Sequence, residues 1–337
     1  MKTIFDPVMM PGLSMKNRIV RSATWETLTT EDGGPSDEQI HLYETLAKGN
    51  VGAIINGFTS TDDDDRYFHG MARMSRDELI EKWKPLVDVV HKEGVKIIMQ
   101  SALGEFVRRG RALEPDDVTV ADIREIVELF VSAAVRASTA GFDGVQIHAA
   151  HGFYLSRFIS PAFNHRVDEY GGDAHGRARI VADIVRGIRK AAPALHVTMK
   201  INGSDFMPGG TDVEDFVSIV RFLEEEGLQS VEVSGNGTSV PGIRAGKDEA
   251  YFLPFALALK EVSSIPTILV GGFRSVEVMN AVAERYGIEL FALSRPLIRE
   301  PHLAARWEEG DLRPSLCISC NQCYRTEGHR CFFCADG

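Results

Sequence analysis

Eight short apolar runs, rich in β-branched residues, recur along the chain. They lie at 18–23, 51–56, 95–101, 142–148, 196–202, 229–234, 266–271 and 289–294. Most of them are continuously apolar and do not alternate with polar residues, which is typical of strands buried on both faces of a parallel sheet. The pattern therefore predicts eight parallel strands.

Segments with apolar residues at helical spacing separate these runs. They lie at 36–48, 77–93, 119–140, 177–192, 211–226, 248–262, 275–286 and 301–309. The longest segment begins at Thr119, a suitable N-cap, and ends before Gly141, a suitable C-terminal stop. Strands that alternate with helices in this way predict an α/β protein with a (β/α)8 TIM barrel, and an open doubly wound sheet is the alternative.

Length, charge and hydropathy limit the possible partners, the location and the number of domains. The chain has 337 residues and a net charge of 37 − 48 = −11, which disfavours nucleic acid and anionic membranes as partners. It has no apolar signal core and no run of about 18 apolar residues, so we predict a cytoplasmic protein without a membrane span. No linker divides it, so we predict one barrel domain at 1–312 with an appended tail at 313–337. A homo-oligomer remains open.

The five cysteines all lie in that tail, and the preceding 316 residues contain none. Cys317, Cys320 and Cys323 form a C-x2-C-x2-C motif, and Cys331 follows, with Cys334 as an alternative fourth ligand. Clustered thiols in a cytoplasmic chain indicate metal binding more than disulfides. The spacing suits a [4Fe–4S] cluster, a zinc ion with four thiolate ligands, or a reduced tail without metal.

Two histidines, His148 and His151, follow the fourth predicted strand. In a parallel α/β fold the carboxyl ends of the strands carry the chemistry, which makes this pair a candidate catalytic site. The two rings could instead cap the strand through backbone hydrogen bonds. Zinc binding is a third interpretation, but the sequence offers no third ligand nearby.

Four sets of motifs, in order along nearly the whole chain, resemble the Old Yellow Enzyme type of NADH:flavin oxidoreductase. They are IFDP (4–7) with GLSMKNRIV (12–20), HAAHGFYL (148–155) with FISP, NHR and DEYGG (158–172), ILVGG (268–272) with ALSRP (292–296), and CISCNQC (317–323). The last resembles the iron–sulfur segment of the branch that contains 2,4-dienoyl-CoA reductase and trimethylamine dehydrogenase. The chain resembles a short, single-barrel member of that branch.

The resemblance implies an FMN cofactor. Arg295 and a glycine turn would hold the phosphate, the Gln100 amide would contact the pyrimidine ring, and Lys200 would place positive charge near flavin N1. The residues implied to bind FMN are Ser22, Ala23, Thr24, Gly57, Gln100, Lys200, Gly271, Gly272, Ser294 and Arg295. Each of these groups also has a purely structural alternative. The two glycines could form only a tight turn between strand and helix, Arg295 could be a surface charge, and Lys200 could form a structural salt bridge. A lyase with Lys200 as a Schiff-base amine is the non-redox alternative.

The resemblance also implies the reaction. His148 and His151 would donate hydrogen bonds to the activating oxygen of an enone, enoate or enoyl thioester while FMN reduces its double bond. Many relatives have a tyrosine proton donor where this chain has Phe153, so Tyr154, water or a loop residue would supply the proton. Electrons would come from NAD(P)H or from a protein donor. The alternative is a flavin electron-transfer subunit, or an amine-demethylating flavoenzyme, that needs a partner protein.

Overall fold

Eight parallel strands close into a barrel in the computed structural model, which describes residues 3–237 and 239–334. The barrel strands, first to eighth, are Ile19–Arg21, Ala53–Ile55, Lys96–Ala102, Gly144–Ala149, His196–Asn202, Ser230–Ser234, Thr267–Leu269 and Leu290–Leu293. Each pairs in parallel with the next, and Phe291 on the eighth lies opposite Ile19 on the first. This closure confirms the predicted (β/α)8 barrel and rules out the open sheet.

Helices surround the barrel. They are α1 (Asp37–Lys48), α2 (Glu78–Lys92), α3 (Val120–Ala140), α4 (Tyr154–Ile159), α5 (Ala174–Ala191), α6 (Val213–Glu225), α7 (Leu253–Lys260), α8 (Val276–Tyr286), α9 (Arg295–Arg299) and α10 (Leu303–Glu308). The short helices α4 and α9 were not predicted. Helix α7 begins five residues later than predicted because Ala250 is left-handed, with φ of 60°, and a right-handed helix cannot continue through it.

Helix α3 shows why its bounds were predictable. The Thr119 hydroxyl accepts a hydrogen bond from the Asp122 N–H at 3.2 Å, and the Asp122 carboxylate accepts one from the Thr119 N–H at 2.8 Å. This is a capping box, which satisfies N–H groups at the helix start. Gly141 ends the helix with φ of 96°, a conformation that glycine adopts without a Cβ penalty.

The amino-terminal end of the barrel is plugged. An antiparallel hairpin, Val8–Met10 with Leu13–Met15, packs its buried apolar side chains against Val20, Ile98 and Leu290 in the barrel interior. Further short strands, Thr59–Ser60, Ala72–Arg73, Phe106–Arg108 and Arg111–Leu113, lie in the loops that follow the second and third barrel strands. Because the bottom is filled, a cavity of any size has to open at the carboxyl ends of the strands. No helix in the described ranges has the length and hydropathy needed to cross a membrane.

The cysteine-rich tail packs on the barrel and contains two short 3-10 helices, Gln322–Arg325 and Glu327–His329. Arg274, after the seventh strand, donates from Nε to the Cys317 carbonyl at 3.0 Å, and Ser315 N–H donates back to the Arg274 carbonyl at 2.9 Å. The division at 312/313 remains a prediction, and the outer ends of both predicted segments, residues 1–2 and 335–337, lie outside the described residues.

Candidate active site

A cavity of about 290 Å³ opens at the carboxyl ends of the barrel strands. That volume lies near the lower end of the roughly 300–1,000 Å³ typical of small-molecule sites. Most of the residues proposed from the sequence line it together: Ser22, Ala23, Thr24, Gln100, His148, His151, Lys200, Gly272, Ser294 and Arg295. They come from six different barrel strands or the loops that follow them, so the closed barrel is what assembles them.

Three of the residues proposed from the sequence do not line this cavity. Gly57 lies behind Thr24, where an added Cβ would meet the Thr24 carbonyl oxygen at 2.1 Å. Gly271 packs against the backbone of residues 250–252. Tyr154 is fully buried in α4, burial raises the pKa of its phenol, and its hydroxyl has no partner among the described residues. The structure therefore brings Phe153, not Tyr154, to the cavity wall.

The histidine rings meet at the inner wall, with centroids 5.1 Å apart in an edge-on arrangement. Burial lowers the pKa of His148 well below its usual range, and burial together with the Lys200 charge lowers the pKa of His151 to about 3. Both rings are therefore neutral near pH 7. Nδ1 of His148 is buried without a hydrogen-bond partner in the described ranges, although the residue lines the cavity, so part of the hydrogen-bonding capacity of this ring is unused.

Neighbouring strand ends hold His151 in place. Its φ is 64°, a left-handed conformation that is uncommon outside glycine and that recurs at functional sites. The Asn202 side-chain oxygen accepts the His151 N–H at 3.1 Å, and Ser234 Oγ lies 2.9 Å from Nε2. Sequence reasoning missed both partners, although each ends a predicted strand, and that position was the available signal.

A layer of buried polar side chains lies beneath the inner end of the cavity. Glu232 is fully buried and accepts hydrogen bonds from Lys200 Nζ at 2.9 Å, Ser22 Oγ at 2.7 Å and Gln146 Nε2 at 2.8 Å. Gln146 Oε1 accepts from Gln100 Nε2, also at 2.8 Å. Glu232 and Gln146 were not proposed from the sequence. They lie inside their strands, and such central polar residues are not distinguishable from core residues by pattern alone.

A second buried ion pair lies behind Thr24. Arg21 Nη1 donates to Thr24 Oγ1 at 2.5 Å and to the Ser294 carbonyl at 3.2 Å, and Arg21 Nη2 lies 3.4 Å from the Glu26 carboxylate. Burial raises the pKa of Glu26 to about 7, although the Arg21 charge acts in the opposite direction. The Thr24 hydroxyl is thus held between Arg21 and Ser294, whose Oγ lies 2.9 Å away.

The opposite end of the cavity is basic. Arg295 Nη1 donates to the Val240 carbonyl at 2.8 Å and to Asn321 Oδ1 at 2.7 Å, and Gly272 lies beside it with φ of 79°. Just before α8, the Glu249 carboxylate already accepts the backbone N–H groups of Arg274 and Ser275, so these two donors are not free for an anion. Arg295 and the glycine turn are therefore the groups at this end that suit a phosphate.

Aromatic rings form the outer wall. Trp25 stacks on Phe68 at 4.4 Å between centroids, and Phe153 packs edge-on against His148 and Phe58, each at 4.9 Å. The tail adds Tyr324 and His329, and the His329 ring lies 5.2 Å from Trp25. No carboxylate is among the described residues that line the cavity.

The lining fits FMN. The Gln100 amide and the Lys200 ammonium lie at the inner end, and the Arg295 guanidinium lies at the opposite, basic end. The Thr24 hydroxyl and apolar surfaces also line the cavity. His148 and His151 line the same cavity, so a substrate bound beside the flavin would be within reach of their rings. Each of these groups is a donor or acceptor of the type that an isoalloxazine ring or a phosphate requires.

A second cavity, of about 260 Å³, lies beside the first and shares Arg295 with it. Cys317, Cys320, Cys323 and Cys331 all line it, which is the donor set that an iron–sulfur cluster or a zinc ion requires. Within residues 3–237 and 239–334, however, no three His, Cys, Asp or Glu side chains are grouped closely enough to hold a metal ion.

Comparison with known proteins gives consistent matches. The sequence pattern of the family described as NADH:flavin oxidoreductase / NADH oxidase matches residues 3–117 and 102–313. The NADPH dehydrogenase of Geobacillus sp. (strain WCH70) is 31% identical over 315 residues, which cover 89% of this chain and 92% of that enzyme. The NADH oxidase of Thermoanaerobacter brockii is 30% identical, with 94% of this chain and 52% of the relative covered.

Solved structures show the same fold. An Old Yellow Enzyme homologue from Zymomonas mobilis superimposes with a TM-score of 0.76 at 21% identity, covering 94% of this chain and 96% of that one. The chain spans about half the length of several curated relatives that it matches, the Thermoanaerobacter enzyme included.

Proposed function

The chain belongs to the NADH:flavin oxidoreductase / NADH oxidase family, and from that premise we propose that it is an FMN-dependent reductase of activated carbon–carbon double bonds. FMN would be held by Gln100, Lys200, Gly272 and Arg295, and when bound it would supply the hydride for reduction of the double bond at the β-carbon. The observation that carries the proposal is the pair of neutral histidines at the inner cavity wall, one with a buried nitrogen that has no described partner.

The histidines bind the oxygen that activates the double bond. Negative charge develops on that carbonyl oxygen as the β-carbon is reduced, and N–H donors aimed at it in a water-poor site lower the barrier. Because both rings are neutral, each offers one N–H and leaves no positive charge in the oxidised state. Ser234 Oγ, 2.9 Å from Nε2 of His151, favours one orientation of that ring.

The cavity wall favours a flat, uncharged substrate. Trp25, Phe58, Phe68 and Phe153 present aromatic surface, and the ammonium of Lys200 is already paired with Glu232. A carboxylate of a free enoate would meet two neutral rings and no unpaired cation at this wall. We therefore favour an enone or an enoyl thioester over an enoate.

Water delivers the proton to the α-carbon in this proposal. Phe153 has no exchangeable side-chain proton, and the phenol of Tyr154 is buried outside the cavity. The cavity is open to solvent, so water can reach a bound substrate.

The test is an anaerobic single-turnover experiment. The protein is loaded with FMN and reduced with NADH or NADPH, and a cyclic enone, an enoyl thioester or the matching enoate is added while flavin absorbance is followed. We expect reoxidation by the enone or thioester with formation of the saturated product, and slower reoxidation by the enoate. Flavin that binds but is reoxidised by none of the three would refute the double-bond chemistry.

A second candidate is an electron-transferring component that works with a partner protein on an amine or another substrate. It is favoured by the cysteine cavity, which shares Arg295 with the candidate FMN cavity. We propose an iron–sulfur cluster at Cys317, Cys320, Cys323 and Cys331, with zinc as the alternative. Analysis of iron, sulfide and zinc in anaerobically purified protein separates them, because stoichiometric zinc without sulfide removes the electron relay and favours NAD(P)H as the donor.

A further inference from the structure

We propose that Glu232 is a positioning residue that sets the hydrogen-bonding polarity and the charge of the inner end of the cavity. It acts through Gln146 on Gln100 and directly on Lys200. The inference rests on the proposed FMN site and adds to it a residue that does not itself line the cavity.

The geometry makes Glu232 the shared partner of side chains from several strands. Lys200 and Ser22 line the cavity, and both reach the same carboxylate oxygen of Glu232, at 2.9 and 2.7 Å. The other carboxylate oxygen accepts from Gln146 at 2.8 Å, and Gln146 in turn accepts from the cavity-lining Gln100 at 2.8 Å. These residues are at most 4% exposed, so water does not compete for the bonds.

The carboxylate determines which way both amides face. An ionised carboxylate can only accept hydrogen bonds, so Gln146 has to present its NH2 group to Glu232. The carbonyl oxygen of Gln146 then points at Gln100, which has to donate a hydrogen bond to it from its own NH2 group. The carbonyl oxygen of Gln100 is the atom left on the cavity side. That oxygen is an acceptor, and the N3–H group of the flavin pyrimidine ring is the matching donor.

The same carboxylate balances the charge of Lys200. Of the three ammonium N–H groups, one is directed to Glu232 and one to Ser22, at 3.0 Å, which leaves one for the cavity. The Lys200–Glu232 pair has no net charge, and both groups are almost fully buried. Lys200 therefore acts as a directed donor more than as a net cation at the inner end of the cavity, and removing the carboxylate would leave an uncompensated positive charge there.

Two measurements test these two effects on FMN-loaded protein. The first is the ratio of the dissociation constants of 3-methyl-FMN and FMN, followed by flavin fluorescence, and the second is the two-electron reduction potential. In wild-type protein we expect FMN to bind at least tenfold more tightly, since the methyl group removes the donor that Gln100 requires.

Glu232→Gln should change both quantities. Glutamine can accept or donate, so the two amides are free to turn, and the 3-methyl-FMN/FMN ratio should fall several-fold. The steric cost of the methyl group is common to both proteins, so the change in ratio reports the hydrogen bond. The uncompensated Lys200 should favour reduced flavin by at least tenfold, which is about 30 mV for a two-electron couple.

Gln146→Met separates the two effects and protects the test against a folding failure of Glu232→Gln. It breaks the relay to Gln100 and keeps the ion pair, so it should lower the ratio but leave the potential unchanged. Glu289→Gln is the matched control, because Glu289 also pairs with a lysine, Lys260 at 2.8 Å, at the amino-terminal end of the eighth strand. It should leave both quantities unchanged.

The outcomes are distinct. Wild-type values for both quantities in Glu232→Gln, or an unchanged ratio in Gln146→Met, would reduce Glu232 to a structural ion pair and overturn the inference, with the proposed function intact. Failure of the wild-type protein to bind FMN would overturn both.

Discussion

The two histidines show which parts of a residue's role the sequence predicts and which parts depend on the fold. Their position at the carboxyl end of the fourth strand made them a candidate catalytic site, and the role of an oxygen-binding pair came only from the resemblance of the surrounding motif. The sequence did not reveal that Ser234 and Asn202 would orient His151, because those contacts depend on how neighbouring strands are aligned in the closed barrel. Burial among these strands is also what holds both rings neutral.

Removing either ring should stop turnover without loss of the cofactor. We expect His148→Ala and His151→Ala to lower the rate of flavin reoxidation by an enone by about 10²–10³-fold, since each removes a donor to the developing negative charge. Bound flavin, measured by absorbance, should stay at the wild-type level. His148→Asn keeps an N–H donor and serves as the control. Loss of flavin in the alanine variants would contradict the assigned role.

The two histidines should contribute no pH dependence to the same rate between about pH 5 and 8, so any titration in this interval would come from Glu26, whose pKa is raised to about 7. The pKa of His151 is lowered to about 3 and that of His148 lies well below its usual range, so neither ring titrates there. Single-turnover reoxidation measured across this interval checks the expectation. A sigmoidal rise towards acid with a midpoint near 6.5 would mean that a protonated histidine is the active form.

Phe153 offers a gain-of-function test. Its ring lines the cavity against His148, so Phe153→Tyr would place a phenol where the resemblance leads us to expect a proton donor. General acid catalysis is worth about 10²–10⁴-fold when protonation limits the rate. We expect faster enone reduction and a smaller solvent isotope effect. Leu155→Met, in the buried core of α4, controls for a general effect of substitution nearby. An unchanged rate would indicate that protonation is not limiting.

At the scale of elements, a helix was predicted accurately when the residues that start and end it lie within its own segment. Helix α3 was predicted correctly because its cap, its stop and its apolar stripe all lie within the segment itself. The start of α7 was predicted too early because the left-handed conformation of Ala250 arises in the preceding loop, which packs on Gly271. Helices α4 and α9 are too short for their periodicity to stand out.

The capping box of α3 provides a stability test. Thr119→Ala removes the side-chain acceptor of the Asp122 N–H, and we expect the free energy of unfolding to fall by about 1 kcal/mol. Thr139→Ala is the matched control, because Thr139 is exposed near the other end of the helix and should change stability by less than about 0.5 kcal/mol. Urea unfolding measures the free energy of unfolding of both variants. An equal decrease in the two would show that the cap is not stabilising.

At the scale of the whole molecule, strand order and most inner cavity residues were predictable. Each barrel strand is a local apolar run, and Gln100, His148 and Lys200 lie at or near strand ends. The aromatic wall was not predictable, since Trp25 meets Phe68 and the tail residue His329 only through the three-dimensional paths of the loops and the tail. Sequence separation of that size leaves no periodic signature.

Global stability should decline on acidification from pH 6.5 towards 4. His196, at the amino-terminal end of the fifth strand, is buried between the Pro11 carbonyl and Ser230, and burial lowers its pKa to about 4. Between that value and the usual 6.5 the unfolded chain binds more protons, so stability rises with pH there and is fully present above 6.5. In His196→Asn, the change in the free energy of unfolding between pH 4 and 6.5 should be smaller by roughly 3 kcal/mol. An unchanged slope in the variant would show that His196 does not cause it.

The closure of the barrel also sets when the cavity can exist during synthesis. The first strand is completed by the eighth, which the ribosome makes about 270 residues later, and the cavity wall extends further, to His329. At about 5–20 residues per second, the first strand waits roughly 15–55 s for its partner. Its apolar side chains are exposed in the nascent chain for that time, which is when chaperones act. Flavin capture therefore follows the synthesis of the eighth strand and of the tail as far as His329.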